Sequence, residues 1–316
     1  MKWSPPVTTV IGIDEAGYGP SLGPLVVGSA AFRADADLDL WSELDGAVAR
    51  RRRGAGEKVL VADSKVVYAQ GRGLDRLERA VLAFIGSGGG TRPSRFAGLL
   101  EAVCERPEGV LDVPWWEDHA LPVATTPDEL DRATGLLAEA SGPSRFLGLA
   151  AQIVPADVFN RLVDLHGNKA TLLFQQNMAL VHRALRRYEG DLTFLIDKHG
   201  GRHDYAPLLA NNFFGRSLRE DRVSPGRSSY RVDLPDRRLW FHFIEKADAC
   251  HLPPALASMT CKYLRELCMK CFNAYWCGLV DGLKPTAGYA ADGKRFIAAI
   301  RHLLSDEQAR AVIRQR

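Results

Sequence analysis

The sequence predicts an α/β protein in which helices flank a mixed β-sheet. Short runs of β-branched and other apolar residues end abruptly at acidic residues, which is typical of strands buried on both faces. In the second half of the chain such runs alternate with segments whose apolar residues recur at helical spacing. The 316 residues, 46% of them hydrophobic and 25% charged, suffice for a full core and exclude disorder, collagen and coiled coil as descriptions of the whole chain.

The chain begins with two predicted strands. Residues 7–13 (VTTVIGI) form the first, which stops at Asp14 and Glu15, and residues 25–32 (LVVGSAAF) form the second. The glycine-rich turn at residues 17–19 therefore leads into a strand and not into a helix, which argues against a dinucleotide-binding fingerprint. The free backbone N–H groups of such a turn are suited to binding phosphate.

Two helices and an irregular segment are predicted next. A short helix is expected over residues 36–49, and apolar residues at helical spacing predict an amphipathic helix over residues 74–85. The sequence GSGGG then marks a break. Because little sustained periodicity follows it, residues 86–146 are predicted to form an insertion or subdomain.

The second half of the chain supplies further strands and helices. Strands are predicted at residues 146–154, at residues 192–196 ending on Asp197, and within LWFHFIEKAD ending near Asp248. The predicted helices are a short one at Pro155, long ones at residues 169–188 and 253–276, and two stretches after Lys284.

Four acids stand at the predicted strand ends: Asp14, Glu15, Asp197 and Asp248. Strand ends gather at one edge of an α/β sheet, so these acids are expected to converge. Converging carboxylates repel one another, and divalent cations normally offset that repulsion; oxygen ligands favour Mg²⁺ or Mn²⁺. One such acid alone is better explained as a helix cap or a solvent-facing residue. The set of four predicts a two-metal site for phosphoryl transfer.

Several segments of the chain resemble ribonuclease HII, the type 2 ribonucleases H. In the order of that family they are GIDEAGYGPSLGPLVVG (12–28), DSK (63–65), NKATLLFQQNMALVHRAL (168–185), FLID (194–197), KADACHLPPALASMTCKYLRE (246–266) and AGY (287–289). The resemblance implies a ribonuclease H-like fold with a mixed five-stranded sheet. The implied catalytic domain comprises residues 1–85 and 147–277, with residues 86–146 inserted and residues 278–316 forming a C-terminal helical segment.

The resemblance also implies roles for individual residues. It assigns metal binding and catalysis to the same four acids. It assigns substrate binding to Gly17, Tyr18, Gly19, Lys65, Ser258, Lys262, Arg265 and Tyr289. In the family the turn at residues 17–19 touches the DNA–RNA junction, largely through backbone groups, and the tyrosine at position 289 stacks on a sugar there. Tyr18 stands where the family has a basic residue, which points to a divergent branch.

Two arginine-rich runs are candidate contacts for a nucleic-acid backbone. Residues 50–53 are four consecutive arginines, which are either a phosphate-binding loop or a solvated one. Residues 227–238 place four arginines around Tyr230, which predicts a basic and aromatic patch. The net charge of +3 permits a polyanionic partner without requiring one.

The expected function is a metal-dependent endoribonuclease that hydrolyses the RNA strand of RNA–DNA hybrids or ribonucleotides embedded in duplex DNA. The alternatives are a nuclease of the same fold with a changed nucleic-acid substrate and a non-catalytic nucleic-acid-binding relative. A pure binder gains nothing from four acids beside phosphates, which disfavours the latter. No apolar run is long enough for a membrane span and no secretory signal is present, so a cytoplasmic location without a membrane or protein partner is expected.

Overall fold

The computed structural model describes residues 8–35, 38–68, 73–140 and 145–315. The predicted strand at 7–13, the predicted helix at 36–49 and the three predicted domain segments each include residues that lie outside these ranges. Within the described residues, the strands are β1 (Thr8–Ala16), β2 (Leu25–Ala34), β3 (Val48–Ala49), β4 (Val59–Leu60), β5 (Arg145–Val154), β6 (Leu192–Asp197), β7 (Ser217–Val223), β8 (Arg227–Asp233) and β9 (Arg238–Ile244).

The helices of the described residues are α1 (Leu40–Glu43), α2 (Ser64–Val67), α3 (Leu74–Ser87), α4 (Phe96–Val103), α5 (Glu108–Leu111), α6 (Pro127–Glu139), α7 (Ala156–His166), α8 (Lys169–Arg187), α9 (Ala206–Asn212), α10 (Ala247–Cys250), α11 (Leu252–Leu279), α12 (Ala290–Ile300) and α13 (Asp306–Val312). A 3-10 turn at Arg301–Leu303 follows α12. The helices predicted at residues 74–85, 169–188 and 253–276 are confirmed as α3, α8 and α11.

The main sheet is mixed and has the strand order β5-β2-β1-β6-β9-β8-β7. Strand β1 is antiparallel to β2 and parallel to β6, and β6 is parallel to β9. The predicted mixed sheet flanked by helices is therefore confirmed, but the sheet has seven strands instead of five. Strands β7 and β8 form a hairpin that pairs with β9 and extends the sheet beyond the five predicted strands.

Helices cover both faces of this sheet. Along β1, Val10 belongs to the core cluster that packs against α11, and its neighbour Ile11 belongs to the cluster that packs against α8. This alternation follows from the two-residue repeat of a strand. Gly12 lies where α11 comes closest, because a Cβ at this position would lie 2.0 Å from the backbone nitrogen of Pro254. Glycine at this position therefore lets α11 pack directly against the central strand, whose end carries two of the acids.

The helix predicted at residues 36–49 is wrong. Of residues 38–49, which the structure describes, only Leu40–Glu43 is helical, with Asp39 capping its first turn. The chain then turns, and Val48 and Ala49 pair in parallel with Val59 and Leu60. The apolar residues of this stretch face the core cluster from a short helix, a turn and a strand in succession. These apolar residues recur at the spacing expected of a single helix, which explains the wrong prediction.

The segment at residues 86–146 and the C-terminal segment both contribute to the cores. Phe96, Leu100 and Leu130 belong to the same buried cluster as residues of α3 and α11. Phe296 and Val312 pack around the end of α11 in a third cluster. Among the described residues, no helix is long and apolar enough to cross a membrane.

Candidate functional site

Asp14 and Glu15 lie near the end of β1, beside α11. Asp14 is 7% exposed. The Ser258 hydroxyl on α11 donates to the Ser64 hydroxyl over 3.0 Å and lies near enough to the Asp14 carboxylate to oppose the rise in its pKa. The Cys261 thiol donates to the Asp14 backbone carbonyl over 3.3 Å, so helix α11 holds the backbone of Asp14 in place.

Asp197 and Asp248 are joined through the short helix α10. Asp197 is the last residue of β6, and its carboxylate accepts a hydrogen bond of 2.9 Å from the backbone N–H of Ala247. Ala247 is the first residue of α10, and Asp248, which is 8% exposed, is the second. Parallel pairing of β1 with β6 puts the acid-bearing ends of both strands at the same edge of the sheet.

The four carboxylates influence one another electrostatically. Burial, followed by the charges of Glu15 and Asp197, raises the pKa of Asp14 well above its usual value. Burial and then Asp197 raise the pKa of Glu15 to about 7, and burial also raises the pKa of Asp197. Burial, Asp63 and Asp197 raise the pKa of Asp248 to about 6. The structure thus brings together the four acids that the sequence singled out, and their negative charges are not fully compensated.

The DSK segment lies against this carboxylate cluster. The exposed Lys65 lowers the pKa values of Glu15, Asp197 and Asp248, so its ammonium group faces all three. Asp63 caps α2 through the backbone N–H of Lys65 over 2.8 Å and adds a fifth negative charge beside Asp248. Sequence reasoning did not assign a role to Asp63, although its place in the DSK segment was a signal for one.

The donor chemistry of this cluster suits a hard divalent cation, because every candidate ligand is a carboxylate oxygen. The raised pKa values also indicate negative charge that a cation would neutralise. In the part of the chain that the structure describes, however, no group of three or more His, Cys, Asp or Glu side chains is spaced to hold one metal ion. The four carboxylates thus have the ligand type and the negative charge that a divalent cation requires. Their oxygen atoms do not converge on a single coordination centre.

The turn at residues 17–19 adjoins the carboxylate cluster, and hydrogen bonds from Arg314 support it. Gly17 has a φ of +83°, and a Cβ there would lie 2.5 Å from Nε of Arg265, so only glycine fits. The Arg314 guanidinium donates to the backbone carbonyl of Gly17 and, over 3.1 Å, to that of Tyr18. Because a trans peptide points its C=O and N–H in opposite directions, the N–H groups of Tyr18 and Gly19 face away from Arg314.

Arg314 is a residue that the sequence analysis missed. It is 2% exposed, lies 3.8 Å from the ring centroid of Phe159, and pairs through its backbone N–H with Ser21. Burial and the nearby Arg265 lower the pKa of its guanidinium to about 9. No motif surrounds Arg314 in the sequence, so only the fold reveals that the C-terminus supports the turn.

Tyr289 lies beside the same turn. Its ring is 43% exposed and lies 5.3 Å from the Arg265 guanidinium. The carbonyl of the preceding residue, Gly288, accepts a hydrogen bond of 2.9 Å from the Ser21 N–H. The segments at residues 17–22 and 287–289 are thus bound to each other, and they bring Tyr289 beside the turn whose Tyr18 lies near Glu15.

Two predicted phosphate contacts on α11 are engaged inside the protein. Arg265 is 0% exposed and donates to the backbone carbonyls of Leu22 and Ala287. Lys262 forms an ion pair of 2.8 Å with Glu266. A direct phosphate contact by Arg265 therefore disagrees with its burial, and Arg265 instead supports the turn and Tyr289.

The basic and aromatic patch predicted at residues 227–238 is wrong. Tyr230 is completely buried. Arg231 pairs with Asp233 over 2.9 Å, and Arg238 pairs with Asp191 over 2.9 Å. These ion pairs lie within β8 and between β9 and the residue before β6, so the residues do not form a stacking platform.

No family model matches the chain, and no curated protein sequence matches it. Its structural neighbours are ribonucleases HII and HIII. Bst-RNase HIII in complex with Mn²⁺ aligns with 97% of this chain at 15% identity and a TM-score of 0.43, and the chain spans only 66% of that protein. RNase HII of Archaeoglobus fulgidus, in a PCNA:RNase HII complex, aligns with 98% of this chain and 94% of its own at 15% identity and a TM-score of 0.42.

The ribonuclease H2 from Pyrococcus horikoshii OT3 aligns with 96% of this chain and 92% of its own at 13% identity and a TM-score of 0.43. The sequence motifs resemble ribonuclease HII, and these structural neighbours are ribonucleases HII and HIII. Because all three TM-scores lie below 0.5, the functional proposal depends on the strand order and the side chains of this chain and not on the likeness.

Proposed function

We propose that the chain is a metal-dependent endoribonuclease that hydrolyses the RNA strand of RNA–DNA hybrids or ribonucleotides embedded in duplex DNA, leaving 3′-hydroxyl and 5′-phosphate ends. One observation carries the proposal. The carboxylates of the buried Asp14 and Asp248 and of the half-buried Glu15 and Asp197 influence one another at the edge where the parallel strands β1 and β6 end. Such a concentration of negative charge repels a phosphodiester unless cations lie between the two.

In this proposal the four acids hold Mg²⁺ or Mn²⁺. When bound, such cations supply activation of a water and stabilise the negative charge that develops on the leaving oxygen. The chain's own groups fix the carboxylates: the Glu15 N–H donates to Asp14 over 2.7 Å, and the Ala247 N–H donates to Asp197 over 2.9 Å. Supporting hydrogen bonds of this kind keep ligand side chains in place for catalysis.

The adjoining turn is proposed to recognise the ribose. The N–H groups of Tyr18 and Gly19 face away from Arg314, so they are oriented to meet a polar group outside the turn. Tyr289 offers an exposed ring at the same place, supported from behind by Arg265. Backbone donors and a stacking ring together suit a sugar that carries a 2′-OH.

One cleavage assay tests this function. An end-labelled DNA duplex with a single ribonucleotide, a continuous RNA–DNA hybrid and an all-DNA duplex are each incubated with Mg²⁺, with Mn²⁺ or with EDTA. We expect cleavage of the first two duplexes only, and only with a divalent cation. Equal cleavage of the all-DNA duplex would instead identify a nuclease with a changed substrate, and binding without any cleavage would identify a non-catalytic relative.

Tyr289→Ala is expected to impair cleavage at a single ribonucleotide more than cleavage of a continuous hybrid. The variant loses a stacking surface, which is worth about 1 to 3 kcal/mol, and a continuous hybrid offers other positions for cleavage. Tyr289→Phe keeps the ring and should retain the ratio of the two activities. Tyr18→Arg should also preserve cleavage, because the proposed contacts of that turn are made by its backbone.

The measurement is kcat/KM on both duplexes for all three variants. If Tyr289→Ala leaves the ratio of the two values unchanged, the ring does not read the junction. The altered-substrate alternative would then be the better explanation of the site.

A further inference from the structure

The four consecutive arginines at residues 50–53 follow β3, and the first of them contacts α10, the helix that carries Asp248. They begin the loop that connects the paired strands β3 and β4. Arg50 fixes this loop to α10, because its guanidinium donates to the backbone carbonyl of Ala249, the residue after Asp248. The same guanidinium lies 4.4 Å from the ring centroid of Trp41, whose indole N–H donates to the Val61 carbonyl over 3.0 Å.

The other three arginines of this basic loop are exposed. Within the described ranges, none of Arg51, Arg52 and Arg53 has a carboxylate within ion-pair distance. The acid of the same loop, Glu57, instead lies 4.0 Å from Arg132. Three like charges on adjacent residues repel one another, and a bound anion would relieve that repulsion.

The neighbourhood of the loop also favours a polyanion. Lys246 is exposed at the start of α10, and the exposed Lys65 lies near Glu15, Asp197 and Asp248. Positive charges next to the acids can hold the backbone of a duplex while one phosphodiester lies over the acids. The electrostatic attraction of phosphates to Lys and Arg supplies most sequence-independent affinity for nucleic acids.

We propose that the basic loop at residues 50–53 is a phosphate-binding site for the backbone of a double-stranded nucleic acid, on the Asp248 side of the carboxylate cluster. Arg51, Arg52 and Arg53 contact phosphates, and Arg50 positions the loop relative to the acids. This inference rests on the proposed function for its choice of ligand. It adds a binding surface that lies outside the segments that resemble ribonuclease HII.

The test measures binding in EDTA to an all-DNA duplex, so no cleavage occurs and the result does not depend on the ribonuclease activity. Affinity is measured over a series of salt concentrations for the wild type and for the triple variant Arg51→Ala, Arg52→Ala and Arg53→Ala. The plot of log K against log salt should become less steep by about 0.9 for each lost phosphate contact, and thus by about 2 to 3 in the triple variant.

Two controls separate a specific site from total charge. Replacing the same three arginines by lysine retains the charges and should keep most of the slope. Replacing Arg161, Arg186 and Arg310 by alanine removes the same net charge from exposed positions on α7, α8 and α13 and should leave the slope unchanged. All variants should melt at the wild-type temperature, since the substituted side chains are exposed.

An unchanged slope in the alanine triple variant would overturn the proposal, as would an equal loss in the charge-matched control. A wild type that does not bind the duplex in EDTA would overturn it too. Failure of the proposed function has a different signature, namely wild-type protein that binds the duplex through this loop but cleaves no ribonucleotide with Mg²⁺ or Mn²⁺.

Discussion

Asp14→Asn and Asp197→Asn are each expected to lower kcat for cleavage of a ribonucleotide-containing duplex by several orders of magnitude in Mg²⁺. Each substitution removes one negative charge from the cluster and adds no bulk. Asparagine also keeps an oxygen that accepts the hydrogen bonds made by the native side chains, from Glu15 N–H over 2.7 Å and from Ala247 N–H over 2.9 Å. Single-turnover cleavage at saturating protein measures the loss in the chemical step.

The fold of these variants is the control. Burial and the neighbouring acids raise the pKa of Asp14, which means that its charged form is destabilised in the folded protein. Neutralising it should therefore leave Tm unchanged or raise it when no divalent cation is present. Near-normal turnover in either variant would contradict the two-metal assignment, and a marked fall in Tm would show that the acid is structural.

The sequence predicted the central strands and the acids because strong local signals specify them. Strand β1 is apolar on both faces, so its residues form an uninterrupted run that ends where the charged site begins. Strand β7 was missed because nearly all of its side chains are exposed and polar, and an exposed edge strand has no alternation to detect. The β7–β8 hairpin can be recognised only from its pairing with β9.

The sequence predicted where the adjoining turn lies but not what supports it. Arg265 lies seven residues after Ser258, which is two helical turns, so both side chains are on the same face of α11. Ser258 is 3% exposed, and that face is therefore the buried one. A spacing argument combined with burial thus places Arg265 inside the protein. Arg314 contacts the turn across almost the entire length of the chain, and no local pattern encodes such a contact.

The largest expected effect on stability comes from Glu78 on α3. Its side chain is completely buried and accepts hydrogen bonds from the backbone N–H groups of Val123, Ala124 and Thr125, over 2.7, 2.7 and 2.8 Å. The Tyr263 hydroxyl on α11 donates a fourth, of 2.7 Å. One carboxylate thus ties the segment at residues 86–146 both to α3 and to the helix that holds Asp14.

Glu78→Ala should lower the free energy of unfolding by about 3 to 5 kcal/mol, because the buried Tyr263 hydroxyl and three partly buried N–H groups lose their acceptor and a cavity forms. Glu78→Gln should have a smaller effect, since it keeps one acceptor oxygen but turns an NH₂ group towards the N–H donors. Tyr263→Phe removes a single donor and should cost about 1 to 2 kcal/mol. Denaturant unfolding at constant m-value measures all three.

The double variant Glu78→Ala with Tyr263→Phe separates this network from general loss of packing. If the two side chains act through their hydrogen bond, the double variant should be less destabilised than the sum of the single variants. One cooperative transition is expected in every case, because residues of 86–146 share a core cluster with α3 and α11. A loss below about 1 kcal/mol in Glu78→Ala, or a separate early transition, would show that residues 86–146 are held to the core by other contacts.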